Sequence, residues 1–351
     1  MPWETPSFPV EPQDRPKVRV VIGARLTRVQ RGPLRVARHP DRWLTGAVHD
    51  ANGRLVPISQ KVGGLGGHRM AMADPRRIKP QRRVPRLRGR WLYGGHWMMH
   101  FGHFLTETVT TLWPEGIEPV EGLVFHRYLN PNATVSAWQQ RLVDLAGYGG
   151  LPIEIVNDRE LKVDELVVPS RSIVQHGWGH PGGVAVWRRI SAAVPHRAPP
   201  APLAVWSSRV YLSRTAFNAR MRARGRHEPR STPERDALLD GLFAEAGFGV
   251  VAPEQLSIDD QVRLIRSTRV LAGQAGSALH LAGFAQAGTH ILELGDTRMP
   301  NRGVGTQRVI NTLCGHSTAF IPPRWDRDRL VAELCELGVW RSDPSPDDVA
   351  D

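Results

Sequence analysis

The chain has 351 residues, of which 41% are hydrophobic and 23% charged, so it is long enough for about two domains and is not disordered by composition. No run reaches the ~18 apolar residues of a membrane-spanning helix, and the proline-rich stretch from Met1 to Pro16 predicts no secretory signal. The two cysteines, Cys314 and Cys335, are too few for a disulfide scaffold or a four-thiolate metal site, and we expect a cytoplasmic protein.

The net charge of +12 invites a nucleic-acid interpretation. However, only four of the 46 basic residues are lysines, and this excess of arginine indicates a coding bias more than a binding patch. Arginines concentrate in residues 76–90 and 214–230, where phosphates of a small molecule or an anionic membrane surface suit the charge equally well. We expect no nucleic-acid partner, and we leave open a peripheral contact with the inner membrane face. A non-enzymatic scaffold that binds nucleic acid or anionic lipid is the alternative.

The first half of the chain predicts an α/β arrangement. Predicted strands are Val18–Ile22, Leu123–Phe125, Ile153–Val156 and Leu166–Val168, and predicted helices are Phe101–Trp113 and Val135–Leu145.

The predicted helix over Phe101–Trp113 carries a pair of residues with catalytic potential. His103 and Glu107 are one helical turn apart and lie on the same side as His100. A carboxylate beside an imidazole can take a proton from an alcohol. The structural alternative is that His103 makes a buried polar contact while Glu107 lies at the surface.

A zinc site is a competing interpretation of the same region. His96, His100 and His103 have a spacing compatible with zinc on a continuous helix. The glycines at 94, 95 and 102 argue against such a helix, so we expect no metal site.

The stretch Pro195–Pro202 holds four prolines in eight residues and predicts a linker. Strands and helices then alternate, which indicates a parallel, Rossmann-like sheet. The predicted strands are Arg209–Ser213, Phe248–Ala252, Arg269–Ala272 and Thr289–Leu294, and the predicted helices begin near Ser231, Ser257 and Ser277.

A glycine-rich turn follows the third of these strands. Gly273 and Gly276 let the backbone approach a ligand, and a helix beginning at Ser277 would present free amides to a diphosphate. Turn geometry alone explains the glycines equally well. Arg214 and Glu293, at the ends of neighbouring strands, add a cation for phosphate and a carboxylate for ribose hydroxyls.

Taken in order, the motifs of the chain resemble glycosyltransferase family 61, in its bacterial capsular-polysaccharide-type branch. The matching segments cover about residues 90 to 295: Tyr93-Gly94-Gly95, Phe101-Gly102-His103-Phe104-Leu105-Thr106-Glu107, Tyr211-Leu212-Ser213-Arg214, Gly247-Phe248, Pro253-Glu254, Leu256-Ser257, Gln261, Gly276-Ser277-Ala278-Leu279-His280 and Gly288 to Leu294.

The resemblance implies an α/β fold of the GT-B type, with two Rossmann-like domains facing across a cleft. We expect residues 1–198 to form the acceptor-side domain, residues 199–322 the donor-binding domain, and residues 323–351 a C-terminal helix and tail. The implied enzyme is an inverting hexosyl- or pentosyltransferase that moves a sugar from a nucleotide-diphosphate sugar, UDP-linked, to a hydroxyl of a polysaccharide or glycolipid. It requires no cofactor and no divalent metal.

The resemblance also implies roles for individual residues. Glu107 would be the general base, next to His103, with His100 and Tyr93 on the acceptor side. The expected donor-binding residues are Ser213, Arg214, Gly273, Gly276, Ser277, His280 and Glu293. Many relatives have histidine where this chain has Ala275, so Arg214 or His280 must compensate.

The enzymatic rival is a Rossmann-type oxidoreductase. It would need a Gly-x-Gly-x-x-Gly turn after an early strand, with an acidic residue about twenty positions later. The nearest candidate, Gly63–Gly67, has neither the strand nor that spacing.

Overall fold

A computed structural model describes residues 3–5, 16–28, 30–31, 44–61, 83–128, 134–157, 159–175, 177–197, 208–225, 231–297 and 300–340. Several features singled out in the sequence lie wholly or partly outside these ranges: the proline-rich stretch from Met1 to Pro16, the stretch Gly63–Gly67, the arginine runs at 76–82 and 226–230, the proline-rich stretch from residue 198, and the expected tail from residue 341. The chain divides into two compact units, one formed by Pro9–Ile190 and the other by Ser191–Asp351 with Met1–Phe8. The expected domain limits at residues 198 and 322 stay predictions.

The first unit is built on a mixed sheet. The strands of this unit are β1 Val18–Leu26, β2 Gln30–Arg31, β3 Leu44–Thr45, β4 Val48–His49, β5 Arg86–Trp97, β6 Gly122–Arg127, β7 Ile153–Val156, β8 Leu161–Pro169, β9 Ile173–Val174 and β10 Trp178–Gly179. In the sheet, strands β4, β1, β8, β5, β6 and β7 lie side by side in that order. Strands β8, β5, β6 and β7 run parallel, whereas β1 pairs antiparallel with both β4 and β8. The first half is therefore α/β, as predicted, but the expectation of a wholly Rossmann-like sheet is corrected by the antiparallel pairing of β1.

Strand β5 lies in the interior of this sheet although the sequence did not indicate a strand there. It contains arginines and glycines, which strands ordinarily disfavour. Arg86 pairs with Asp164 and Arg90 with Glu165, both on the neighbouring β8, so the cations are neutralised across the strands. The second half of β5 is buried throughout.

Two helices of the first unit lie close to the predicted positions. They are α1 Phe101–His103, continued by further helical turns to Leu112, and α2 Ala137–Val143, continued by a π-helical turn over Asp144–Tyr148. A further helix, α3 Pro181–Ala193, was not predicted from the sequence. No helix in the described part of the chain is long and apolar enough to cross a membrane.

The second unit alternates strands and helices along the chain. Its elements are β11 Arg209–Leu212, α4 Thr215–Ala223, α5 Pro233–Glu245, β12 Gly249–Val251, α6 Ile258–Ser267, β13 Val270–Gln274, β14 His290–Leu294, α7 Gly305–Cys314, β15 Ser317–Ile321 and α8 Arg327–Glu336. The strands form a parallel sheet in the order β12, β11, β13, β14, β15. The parallel, Rossmann-like sheet predicted from the alternating pattern is confirmed.

Helix capping explains why two of these helices begin where they do. The Thr232 hydroxyl accepts the Arg235 N–H at 3.2 Å, and the Ser257 hydroxyl accepts the Asp260 N–H at 3.1 Å. Each side chain satisfies one of the amides that a helix leaves without an internal partner. The predicted starts of α5 and α6 are confirmed.

Candidate functional site

The helical segment that carries His103 and Glu107 is not a regular α-helix. After α1 it passes through a π-helical turn over Phe104–Thr108 and ends in a 3₁₀ turn over Val109–Leu112. Its four threonines are buried, and the hydroxyls of three of them donate at 2.7–2.8 Å to the carbonyl four residues earlier; these are Thr106, Thr110 and Thr111. Such bonds compete with the regular helical ladder and bend a helix. Every residue from 104 to 112 is buried, so Glu107 does not lie at the surface as in the structural alternative.

Glu107 and His103 form a hydrogen-bonded pair within this segment. The His103 Nδ1 lies 2.6 Å from the Glu107 Oε2. The Glu107 side chain is only 2% exposed, whereas that of His103 is 43% exposed. The structural alternative, with Glu107 at the surface and His103 buried, is therefore reversed.

The other oxygen of Glu107 is held by a residue far away in the sequence. The ammonium of Lys61 donates to Oε1, and its side chain is 6% exposed. The same ammonium lies 5.4 Å from the centre of the Tyr128 ring. Lys61 thus forms a buried ion pair with Glu107, with an aromatic face beside the cation.

These surroundings decide the protonation state of Glu107. Burial by itself would raise the pKa of this carboxyl, but the charge of Lys61, the hydrogen bond from His103 and the charge of Arg171 together lower it to about 2. Burial in turn lowers the pKa of Lys61, against the opposing effect of Glu107. Glu107 is therefore an ionised carboxylate throughout the physiological pH range.

Arg171 is the second buried cation near Glu107. Its Nη2 lies 3.1 Å from the His96 Nδ1, and its Nε donates to the Gln60 carbonyl at 3.3 Å. Burial, followed by the charge of Arg171, lowers the pKa of His96 well below its ordinary value. His96 is neutral and packs in the interior rather than facing a substrate.

The remaining residues predicted on the acceptor side differ in their accessibility. Tyr93 is completely buried, and its hydroxyl lies 2.8 Å from the His126 Nδ1, so no surface of Tyr93 faces an acceptor in this structure. Tyr93 is a core residue, which corrects its predicted position on the acceptor side. His100 is exposed at the start of α1, and its ring packs edge to face on that of His103 with centroids 5.2 Å apart.

Among the described residues, no group of three histidine, cysteine, aspartate or glutamate side chains has the geometry to hold a metal ion. His96 is turned to Arg171, away from the zinc arrangement that its spacing to His100 and His103 allowed. Independence from metal stays a prediction.

The second unit has a ligand-binding position set by its topology. Strand β12 lies on one side of β11, and β13, the next strand along the chain, lies on the other side of β11. The order of the strands therefore reverses between β11 and β13. In open parallel sheets, ligands bind at the carboxyl ends of strands where such a reversal occurs. Ser213 and Arg214 follow β11 at this edge, and the predicted glycine turn follows β13.

Polar contacts organise the loop after β11. The Ser213 hydroxyl donates to the Asp240 Oδ2 at 3.0 Å, and the Thr215 hydroxyl donates to the same oxygen at 2.7 Å. Arg214 is mostly buried, and its guanidinium lies 4.9 Å from the centre of the Phe217 ring. Ser213 therefore shapes the loop, and Arg214 is the cation at the strand end.

The glycine turn after β13 differs from the prediction. Gly276 has a positive φ of 150°, which favours glycine. However, no α-helix begins at Ser277: a 3₁₀ helix over Leu279–Phe284 follows the turn instead. The predicted helix N-terminus for a diphosphate is therefore wrong, because this short element lacks the aligned peptide dipoles of a longer helix. Gly273 lies inside β13, where it packs against Leu212.

Two further predicted donor residues contact helix α7. The Glu293 carboxylate is buried and accepts the Val304 N–H at 2.9 Å, just before α7 begins. The His280 Nδ1 lies 2.9 Å from the Gln307 Oε1 within α7. Both residues thus fix α7 against the sheet edge.

Comparison with known protein families identifies the family of the chain. The model of the family described as Glycosyltransferase 61 matches residues 101–292, more than half of the chain. The chain belongs to glycosyltransferase family 61. No curated protein matches it at a significant level.

Membership makes the chain a glycosyltransferase, an enzyme that transfers a sugar from a donor to a glycan acceptor. The matched region begins at the first residue of α1, includes His103 and Glu107, and ends within β14. The other predicted site residues fall inside it, except Tyr93 and His100, which precede it, and Glu293, which follows directly. The roles assigned to them stay predictions.

Lys61 and Arg171 were missed by the sequence analysis. They lie 46 residues before and 64 residues after Glu107 along the chain, and no motif links them to it. One signal was available: Lys61 is one of only four lysines in a chain whose other cations are arginines. A compact ammonium fits a buried single oxygen better than a planar guanidinium does.

Proposed function

We propose that this glycosyltransferase is an inverting enzyme that moves a hexose or pentose from a UDP-linked donor to a hydroxyl of a polysaccharide or glycolipid. The observation that carries the proposal is the His103–Glu107 pair, which is buried at its carboxylate end, exposed at its imidazole end and contained in the family-matched segment. Inversion takes one displacement, for which a base must remove the proton of the attacking hydroxyl.

The donor's diphosphate is proposed to bind in the second unit, at the carboxyl edge where Arg214 and Gly276 lie in the loops that follow the neighbouring strands β11 and β13. A guanidinium there neutralises the charge that develops on the departing nucleotide. Placing base and donor site in separate units is consistent with the GT-B arrangement that we propose for the chain. Membership of the capsular-polysaccharide branch and a cytoplasmic location, with contact to an anionic membrane face, belong to the same proposal.

A thermal-shift panel of UDP-, GDP-, dTDP- and CMP-sugars tests the donor assignment. A ligand that binds only the native state at about 100 times its Kd stabilises it by about 2.7 kcal/mol. We expect a UDP-sugar to give the largest rise in Tm, and Arg214→Gln to abolish that rise. The matched control is Arg220→Gln in α4, whose side chain is about half exposed and pairs with Glu254. The proposal fails if no nucleotide sugar changes Tm.

The anomeric outcome is tested separately. The coupling constant of the anomeric proton in the NMR spectrum of the product reports its configuration relative to the donor. An inverted product supports the single displacement; a retained one would overturn it.

A further inference from the structure

Both carboxylate oxygens of Glu107 are already engaged. Lys61 donates to Oε1, and His103 lies 2.6 Å from Oε2. A general base must come within hydrogen-bond reach, about 2.6–3.2 Å, of the proton that it removes. With only 2% of its side chain exposed, Glu107 offers no such approach to an acceptor hydroxyl.

His103 has the accessible atom that Glu107 lacks. Its Nδ1 faces the carboxylate, and its side chain is 43% exposed. A neutral imidazole has one N–H donor and one acceptor nitrogen, and an ionised carboxylate accepts only. In the neutral ring the proton therefore lies on Nδ1, and Nε2 carries the lone pair.

Lys61 controls which of these two nitrogens carries the proton. If Glu107 were protonated, its O–H could donate to Nδ1, and the imidazole proton would move to Nε2. The ring would then present a donor where the reaction needs an acceptor. The ammonium of Lys61, together with the charge of Arg171, keeps Glu107 ionised despite its burial.

We propose that His103, through Nε2, is the group that takes the acceptor's proton, and that Glu107 and Lys61 are positioning residues that fix its tautomer. This assignment rests on the proposed function and reverses the order of roles expected from the motif, in which Glu107 was the base. As the acceptor O–H bond breaks, its proton passes to Nε2. The acceptor oxygen bonds to the anomeric carbon, and the bond from that carbon to the phosphate oxygen breaks. The electron pair leaves with the nucleoside diphosphate.

The kinetic test measures release of UDP from UDP-glucose, UDP-N-acetylglucosamine and UDP-xylose, with water as the acceptor hydroxyl. We expect His103→Ala to lower kcat by about 10²- to 10⁴-fold with little change in KM for the donor. Added imidazole should restore part of the lost rate, because the site of His103 is open to solvent. The control is His196→Ala, which removes an exposed histidine outside this cluster and should leave the rate unchanged with or without imidazole.

A spectroscopic test reads the positioning role without turnover. In protein with nitrogen-15 in its histidine rings, the signals of His103 are those lost in His103→Gln. We expect the Nδ1–H tautomer in the unaltered chain, and a shift toward the other tautomer in Glu107→Gln and in Lys61→Met. Unchanged ring signals in both variants would refute the positioning role.

The outcomes separate this inference from the proposed function. If the unaltered enzyme releases UDP while His103→Ala keeps its rate, the assignment to His103 is wrong and the proposed function stands. If His103→Ala is slow but imidazole restores nothing, His103 does not act as the base. If no donor is turned over by the unaltered enzyme, the proposed function and this role both fail.

Discussion

The buried Lys61–Glu107 ion pair allows a prediction that can be worked through quantitatively. Substitution Lys61→Met keeps a side chain of similar length but removes the ammonium, which leaves the Glu107 carboxylate buried with His103 as its remaining hydrogen-bond partner. Removing one member of a buried pair typically costs about 3–5 kcal/mol. We expect a loss of this size in the free energy of unfolding at pH 7.

The pH dependence follows from the direction of each pKa. In the unaltered chain the pKa of Glu107 is about 2 in the folded state and 4.5 in the unfolded state. Its ionisation therefore stabilises the fold by about 3 kcal/mol above pH 4.5, and this contribution is lost as the pH falls toward 2. In Lys61→Met the effect of burial prevails and raises the pKa of Glu107. Protonation of Glu107 then removes the buried charge as the pH falls, so the variant regains stability in acid. The difference between the two proteins should shrink between pH 7 and pH 4.

Urea unfolding followed by tryptophan fluorescence at several pH values measures this difference. The double variant Lys61→Met with Glu107→Gln, which has no buried charge at this pair, should recover most of the lost stability at pH 7. Lys162→Met removes a partly exposed lysine of the same unit, and we expect it to change stability by no more than about 0.5 kcal/mol. A deficit of Lys61→Met that is the same at pH 4 as at pH 7 would refute the reasoning.

Three further outcomes are expected. Gly94→Ala would place a Cβ 1.9 Å from the buried Phe125 ring and should lower the free energy of unfolding by about 3 kcal/mol or more. The control is Gly241→Ala, in an open position of α5, which should be neutral or stabilising in the same urea assay. Gly303→Ala would put a Cβ 2.5 Å from the Glu293 carboxylate and should lower both Tm and the donor-induced rise in Tm; an unchanged donor shift would show that Glu293 and α7 do not shape the donor site. Because the leaving phosphate is assigned to Arg214, UDP release should persist in EDTA, and activity lost in EDTA but restored by manganese would contradict the metal-free prediction.

Local patterns in the sequence predicted the local elements well. Thr232 and Ser257 mark the starts of α5 and α6, and alternation of strands and helices predicted the parallel sheet of the second unit. The spacing of His103 and Glu107 predicted that they would meet, because residues four apart share one side of a helix. The helix starts and the His103–Glu107 pair are contacts within a few residues along the chain, where local backbone geometry decides which residues meet.

The sequence did not predict some elements, such as those stabilised by residues that are distant along the chain. Strand β5 contains Arg86 and Arg90, whose charges are paired with Asp164 and Glu165 of the neighbouring strand β8. The sequence does not indicate that these residues meet. The 3₁₀ helix after Gly276 replaces the predicted α-helix, and no rule of spacing distinguishes the two at that length.

For the candidate site, sequence patterns were enough to predict which groups are chemically able to act and that His103 and Glu107 are neighbours. Which of the two faces solvent depends on the fold, because Glu107 is buried against Lys61, 46 residues away. Burial and long-range pairing arise from how the sheet and its helices pack, and packing joins residues whose separation along the chain carries no periodic signal. The carboxylate that the sequence predicts to be the general base is therefore ionised and buried in the fold.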